Sequence, residues 1–232
     1  MKKHIPNFIT LLNLFSGCIA IAAAFEGNLI LASWLVGLAA IFDFLDGMAA
    51  RLLHVKSAIG KELDSLADMV SFGLLPGVIV FQLLNLNPAL QSIYIPYIAF
   101  LIPIFSALRL AKFNTDTRQE EMFYGLPTPA NAILIASFPL ILDQNMFVFG
   151  LDFGFINSIL INQWFLVSLS VLLSWLLVAE IPLMSLKFKS LSWVDNRGRY
   201  ILLLLSLILL IIFQFAGIPI IISLYILISL IM

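Results

Sequence analysis

Asp43-Phe44-Leu45-Asp46-Gly47-Met48-Ala49-Ala50-Arg51 closes an apolar run that begins at Leu29, and Gly60-Lys61-Glu62-Leu63-Asp64-Ser65-Leu66-Ala67-Asp68 opens the next. Each run is long enough to cross the roughly 30 Å hydrocarbon core of a bilayer as a helix. The charged residues gather at the two adjoining ends, so the runs read as neighbouring membrane helices joined by a short polar turn. Asp43, Asp46, Gly47 and Ala50 stand at i, i+3, i+4 and i+7, and Gly60, Asp64 and Asp68 at i, i+4 and i+8. Each set shares one helical face, and the turn brings the two faces together.

Outward from this pair the chain is more of the same. Of 232 residues, 62% are apolar and 11% charged, with a mean hydropathy of +1.10. A soluble domain carries about a quarter charged residues; this chain has too few to cover itself in water. Apolar stretches cover 8–25, 29–52, 60–84, 93–113, 128–149, 160–184, 199–215 and 218–232. The expected fold is all-α: a polytopic transmembrane helical bundle of about eight spans, forming one domain over 1–232. Only Gly217-Ile218-Pro219 divides the last two stretches, which leaves a hinged pair or a six-span count open.

The twelve Lys and Arg residues check the count independently. Each lies at the N-terminus, on an even-numbered connection or toward the span end that adjoins one, while the connections at 26–28, 85–92, 150–159 and 216–217 carry none. Because Lys and Arg concentrate in short cytoplasmic loops, both termini are expected inside, with the acidic cluster at the same face. Lys2 and Lys3 before an apolar run resemble a signal peptide. However, Asn7, Thr10 and Asn13 give that run a polar face at three-residue spacing, as expected of a retained first span. The net charge of −1 offers no basic field for nucleic acid. Cys18 is the single cysteine and has no partner within the chain for a disulfide.

Five of the thirteen acidic residues fall between 43 and 68, and four of them, the aspartates, lie on the two facing helical sides, with Arg51, Lys56 and Lys61 nearby. A carboxylate at a membrane boundary costs several kcal/mol unless it is paired, neutralised or hydrated, and four together repel one another. Hard divalent cations with oxygen ligands relieve that repulsion, and Mg²⁺ is commonly held by a few carboxylates plus substrate phosphates. Asp43, Asp46, Asp64 and Asp68 are therefore the candidate metal ligands. Gly47, Ala50 and Gly60 leave room for a phosphorylated ligand beside the helix backbone, or else serve close helix packing.

The pattern D-x2-D-G-x2-A-R-x8-G-x3-D-x3-D, read from Asp43 to Asp68, resembles the signature of the CDP-alcohol phosphotransferases. Three further stretches are similar to the phosphatidylserine synthase branch: Ile5-Pro6-Asn7-Phe8-Ile9-Thr10-Leu11-Leu12-Asn13, Ala67-Asp68-Met69-Val70-Ser71-Phe72-Gly73, and Leu108-Arg109-Leu110-Ala111-Lys112-Phe113-Asn114 with Phe123-Tyr124-Gly125-Leu126-Pro127-Thr128-Pro129-Ala130. The resemblance covers residues 5 to about 131. Lys112 stands where relatives often carry Arg, which keeps the charge and loses the bidentate fork.

This resemblance implies a six-span core over 5–188 with two added spans over 199–232, in the cytoplasmic membrane. It implies transfer of a phosphatidyl group from CDP-diacylglycerol to L-serine with one or two Mg²⁺ or Mn²⁺ ions. Asp43, Asp46, Asp64 and Asp68 would hold the metal, with Asp68 also the general base. Gly47, Ala50, Arg51 and Gly60 would contact the cytidine diphosphate. A homodimer among membrane lipids is the family expectation.

Serine's carboxylate calls for a cation, and Arg109, Lys112 and Arg118 are the candidates. Arg109 stands out because it lies within an apolar span, where an unpaired arginine is costly unless it snorkels to the interface. Thr10 and Asn13 are candidates to line the same cavity, or else to bond between helices. Glu180 reads as a further intramembrane acid without a motif. Glycerol 3-phosphate or an inositol phosphate is the rival acceptor, and each needs more cations than the chain offers. A cation transporter using midplane carboxylates would show an inverted repeat, and none is evident.

Overall fold

The computed structural model describes residues 4–55, 57–87, 92–115, 123–144, 147–148, 151–152, 154–184 and 192–231. Among these residues ten α-helices dominate: α1 (His4–Phe25), α2 (Leu29–Leu52), α3 (Ala58–Asp68), α4 (Leu75–Asn85), α5 (Leu101–Thr115), α6 (Thr128–Asp143), α7 (Phe155–Leu160), α8 (Gln163–Val178), α9 (Trp193–Phe213) and α10 (Gly217–Ile231). Two-residue strands form two small antiparallel pairs. Phe123–Tyr124 (β1) pairs with Pro182–Leu183 (β4), and Phe147–Val148 (β2) with Leu151–Asp152 (β3).

The all-α expectation holds. Among the described residues five helical segments are long and apolar enough to cross a membrane: His4–Phe25, Leu29–Leu52, Ala58–Asn85, Ile95–Thr115 and Asn196–Leu230. Two expected spans come out shorter. The stretch 128–149 yields α6, which stops at Asp143, and 160–184 yields α8, which stops at Val178; each has 16 residues. At 1.5 Å per residue each is about 24 Å long. Gln144 and Ala179 turn extended at their ends, and Asn162 caps α8 by accepting from the amides of Trp164 and Phe165. Glu180, expected inside a span, is exposed beyond the end of α8.

The segment Asn196–Leu230 is not one rod. Phe213 ends α9, Gln214–Ala216 forms a 3-10 turn with Gln214 at φ +50°, and α10 returns along α9. Gly217 permits the close crossing, since a Cβ there would lie 2.7 Å from the Leu209 carbonyl oxygen. The last two stretches are therefore a helical hairpin. Tyr225 on α10 is buried against Leu183 and Leu202, and its hydroxyl donates to the Met184 carbonyl at 3.1 Å.

Helices α4 and α6 form the centre. Phe72, Leu75, Ile79, Leu83 and Ile135 are wholly enclosed there, ringed by α1, α2, α5 and α8. Ala20, Ala23 and Ala24 of α1 meet Ala32, Val36 and Ala39 of α2 in the same core. Small residues let helix backbones approach where lipid removes the hydrophobic drive between helices. Gly125, at φ +76°, turns the chain from β1 into α6, and its amide donates to the Ile181 carbonyl.

The stretch 60–84, expected as one uninterrupted span, is a helix with a change of winding. Between α3 and α4, residues Met69–Leu74 form a π-helical turn. Pro76, in the first turn of α4, lacks the amide that would bond the Phe72 carbonyl, and a missing donor of this kind loosens a helix into a π turn.

Candidate active site

The candidate side chains come from α1, α2 and α3. Ser57 starts α3 by accepting from the Gly60 amide at 2.9 Å, an N-cap that fixes where the α3 face begins. That start sets the aim of Asp64 and Asp68 toward α2. One carboxylate oxygen from each of Asp43, Asp64 and Asp68 lies within 4.8 Å of the other two, and all three residues are half-buried. Oδ1 of Asp64 is buried without a hydrogen-bond partner. Three carboxylates converging with an orphaned oxygen fit a hard cation, which takes oxygen ligands and cancels their repulsion.

Asp46 stands apart from that trio, although sequence spacing grouped all four. Its carboxylate accepts from Thr10 Oγ1, which also has the Pro6 carbonyl within reach at 3.1 Å. Asn13, one turn along α1, donates through Nδ2 to Asp68 Oδ1 at 3.3 Å. The polar face of the first helix is thus spent on the carboxylates. Ser71 in the π turn donates to the Asn13 carbonyl, tying α1 to the third span beside Asp68.

Asp46 and Asp64 also line a cleft of about 520 Å³ with Asn7, Gly47, Ala50 and Gly60. The two glycines differ. A Cβ at Gly47 would meet nothing within 4 Å, so this glycine faces open cleft and is not a packing residue. A Cβ at Gly60 would lie 2.8 Å from Ser57 Oγ and 3.1 Å from Asn7 Oδ1, so this glycine keeps the cleft wall thin. Arg51 is exposed and curls back, Nε donating to the Gly47 carbonyl at 3.1 Å. Lys61 also lines the cleft, and its Nζ donates to the Asn114 carbonyl at the end of α5, where a cation suits the helix C-terminus.

The acceptor candidates separate. Arg109 is buried at 7% exposure rather than snorkelling: Nη1 donates to Thr128 Oγ1 at 2.9 Å, and the guanidinium lies 6.0 Å from the Phe113 ring centroid. Its charge is within electrostatic reach of Asp68. Lys112 is exposed near the end of α5, and Arg118 lies outside the described residues. Sequence reasoning passed over Ser65, which accepts from Asn114 Nδ2 at 2.8 Å and ties α3 to α5. It also passed over Asn131, wholly buried one turn beyond Thr128; a lone Asn in an apolar run was the available signal.

The family profile described as CDP-alcohol phosphatidyltransferase matches residues 3–179. The chain belongs to the CDP-alcohol phosphatidyltransferase family. It is 34% identical over 205 residues to the CDP-diacylglycerol–serine O-phosphatidyltransferase of Helicobacter pylori (strain ATCC 700392 / 26695), covering 88% of this chain and 80% of the relative. It is 34% identical over 177 residues to the protein of the same name from Methanocaldococcus jannaschii, covering 76% and 72%. The archaetidylserine synthase of Methanothermobacter thermautotrophicus is 36% identical over 142 residues, 59% of this chain and 58% of that protein. The matched region contains every residue of the carboxylate trio and the cleft.

Proposed function

We propose that the protein transfers the phosphatidyl group of CDP-diacylglycerol to the hydroxyl of L-serine, giving phosphatidylserine and CMP. The observation that carries this reading is the convergence of Asp43, Asp64 and Asp68 beside a cleft lined by Asp46, Gly47, Ala50 and Gly60. The names of the relatives support serine as acceptor.

In this reading Asp43, Asp64 and Asp68, with Asp46 completing the set, hold one or two Mg²⁺ or Mn²⁺ ions. When bound, the metal polarises the phosphoryl oxygens and offsets charge on the departing CMP. Gly47 and Gly60 admit the cytidine diphosphate close to the helix backbones, with Ala50 beside them and Arg51 at the rim. Serine's hydroxyl attacks the lipid-side phosphorus, the new O–P bond replaces the bond to CMP, and the hydroxyl proton passes to Asp68. A general base needs hydrogen-bond reach to that proton, and Asn13 orients Asp68 for it. Thr10 holds Asp46 in the same way. Arg109 is the favoured partner for serine's carboxylate, because it is buried and within electrostatic reach of Asp68. Lys112 and Arg118 then serve the approach from solvent.

The cell membrane, with the site and both termini toward the cytoplasm, is the proposed setting. The placement of all twelve Lys and Arg residues supports it. The chain is read as a single domain, a core over 5–188 with the pair over 199–232 added, and as a homodimer, which crosslinking in native membranes tests. The activity test uses purified protein, CDP-diacylglycerol, Mn²⁺ or Mg²⁺ and labelled serine. CMP release that requires serine, and disappears in Asp68→Ala, is the expected result. Equal turnover of glycerol 3-phosphate would reassign the acceptor.

A further inference from the structure

A second polar set lies among α5, α6 and the π turn, deeper than the carboxylates. Ser106 and Arg109 are one turn apart on α5, and Thr128 and Asn131 one turn apart on α6. The Arg109 to Thr128 hydrogen bond joins the two helices. Ser106 packs against the π turn: a Cβ on Gly73 would lie 3.2 Å from the Ser106 Cβ. Gly73 follows Asp68 by about one π turn, so Ser106 packs one turn along the third span from the Asp68 end of the trio.

Burial makes its bonding state informative. Ser106, Thr128 and Asn131 are at 0% exposure and Arg109 at 7%. Ser106 Oγ, Arg109 Nε and both Asn131 amide atoms nevertheless have no hydrogen-bond partner. An unpaired buried polar group is destabilising, a charged one more so, and lipid offers no water to relieve it. Among the described residues no carboxylate stands in ion-pair contact with Arg109. A buried cluster with a spare guanidinium N–H, a spare amide N–H₂ and a spare amide carbonyl matches the polar groups of a ligand bearing both an anion and a cationic donor.

We infer that Asn131, together with Arg109, forms the subsite that binds the zwitterionic end of an α-amino acid acceptor. Arg109 Nε and Asn131 Nδ2 donate to its carboxylate, and Asn131 Oδ1 accepts from its ammonium. The acceptor's hydroxyl is then directed toward Asp68, whose charge Arg109 already feels. An acceptor without the carboxylate leaves Arg109 unanswered. One with a phosphate and no ammonium leaves Asn131 Oδ1 orphaned, so selection against both follows from the same two residues. This subsite rests on the serine-transfer reading proposed above and adds Asn131 as a specificity-determining residue.

The test is Asn131→Leu, close in shape and without the amide, assayed for serine and CDP-diacylglycerol dependence and for thermal stability with and without serine. The KM for serine is expected to rise about ten- to a hundredfold, the loss of charge-assisted hydrogen bonds, while the KM for CDP-diacylglycerol stays within about twofold. The unliganded protein is expected to melt no lower than wild type, because the substitution removes unpaired buried groups. Stabilisation by serine should vanish. A merely structural Asn131 would instead give a lower melting point with an unchanged KM for serine, which overturns the inference. Should Asn131→Leu fail to fold, Asn131→Asp keeps the size and sets a negative charge against the acceptor carboxylate. The same rise in serine KM supports the inference, and an unchanged KM overturns it. Wild-type protein that turns over no serine would defeat the serine-transfer reading itself, a result distinct from a variant that keeps wild-type serine KM.

Discussion

Asn13 Nδ2 donates to Asp68 Oδ1 across 3.3 Å, joining residues 55 positions apart in the chain. Asn13 is wholly buried, so its bond holds one oxygen of Asp68 and with it the orientation of the carboxyl group beside Asp43 and Asp64. Groups that orient metal-binding carboxylates are worth about ten- to a hundredfold in affinity or activity. Asn13→Ala is expected to lower kcat by about that factor and to raise the Mn²⁺ concentration needed for half-maximal rate. Steady-state kinetics across a metal titration checks it; an unchanged metal requirement would count against this role for Asn13.

Thr10 does the same for Asp46. Thr10→Val preserves the shape and removes the hydroxyl, leaving an oxygen of a buried carboxylate without its donor, a cost of about 1–3 kcal/mol. Binding of cytidine diphosphate in the presence of metal should weaken about tenfold or more, and Thr10→Ser should restore it. Calorimetry in detergent reads both variants.

Metal removal should stop turnover outright. With excess chelator the rate is expected to fall to background and to return on adding Mn²⁺ or Mg²⁺. Asp43→Asn and Asp64→Asn should each shift the metal titration upward by about ten- to a hundredfold, since each removes a charged oxygen from the set. Full activity in chelator would refute the metal reading.

The two cleft glycines predict opposite stability effects. Gly47→Ala meets nothing within 4 Å and replaces a poor helix former, so its melting point should hold or rise, by up to about 1 kcal/mol in stability. Its methyl group enters the cleft, and nucleotide binding should weaken. Gly60→Ala must displace Ser57, the cap of α3, at a cost of about 1 kcal/mol. Thermal melts alongside nucleotide titrations separate the two.

At the hairpin between α9 and α10, Gly217→Ala would drive a methyl group into the Leu209 carbonyl. Overpacking of this kind costs about 1–3 kcal/mol, and the shift should loosen Tyr225 from Met184. A lowered melting point with raised susceptibility of the C-terminal pair to protease is the expected outcome.

Much of this site was legible in advance. The carboxylate spacing on α2 and α3, and the polar face of α1, needed only the helical period to be recognised. The division between Asp46 and the trio was not legible. Positions 43 and 46 differ by about 60° around the helix, and which neighbour each one meets depends on the crossing of α1 over α2. Arg109 could point inward or snorkel from the same sequence; the Thr128 hydroxyl across the helix gap decides it. Asn131 gave only the signal of one polar residue in an apolar run, which has no period and so does not say which way it faces. The ends of α6 and α8 fall at short polar breaks, Asp143-Gln144-Asn145 and Glu180 before Pro182, which were absorbed into the longer stretches because apolar residues resume beyond them.

The looser winding at Met69–Leu74 has a bearing on how this chain can change over time. One extra residue in that turn rotates everything above it by about 100° relative to an ordinary helix. The aim of Asp64 and Asp68 toward Asp43 is therefore set by how many residues lie between them and Pro76, not by which apolar residues they are. Leu, Ile, Val and Phe can trade places along that stretch, but losing or gaining a single position would swing the two aspartates away from α2 while the span remained as greasy as before.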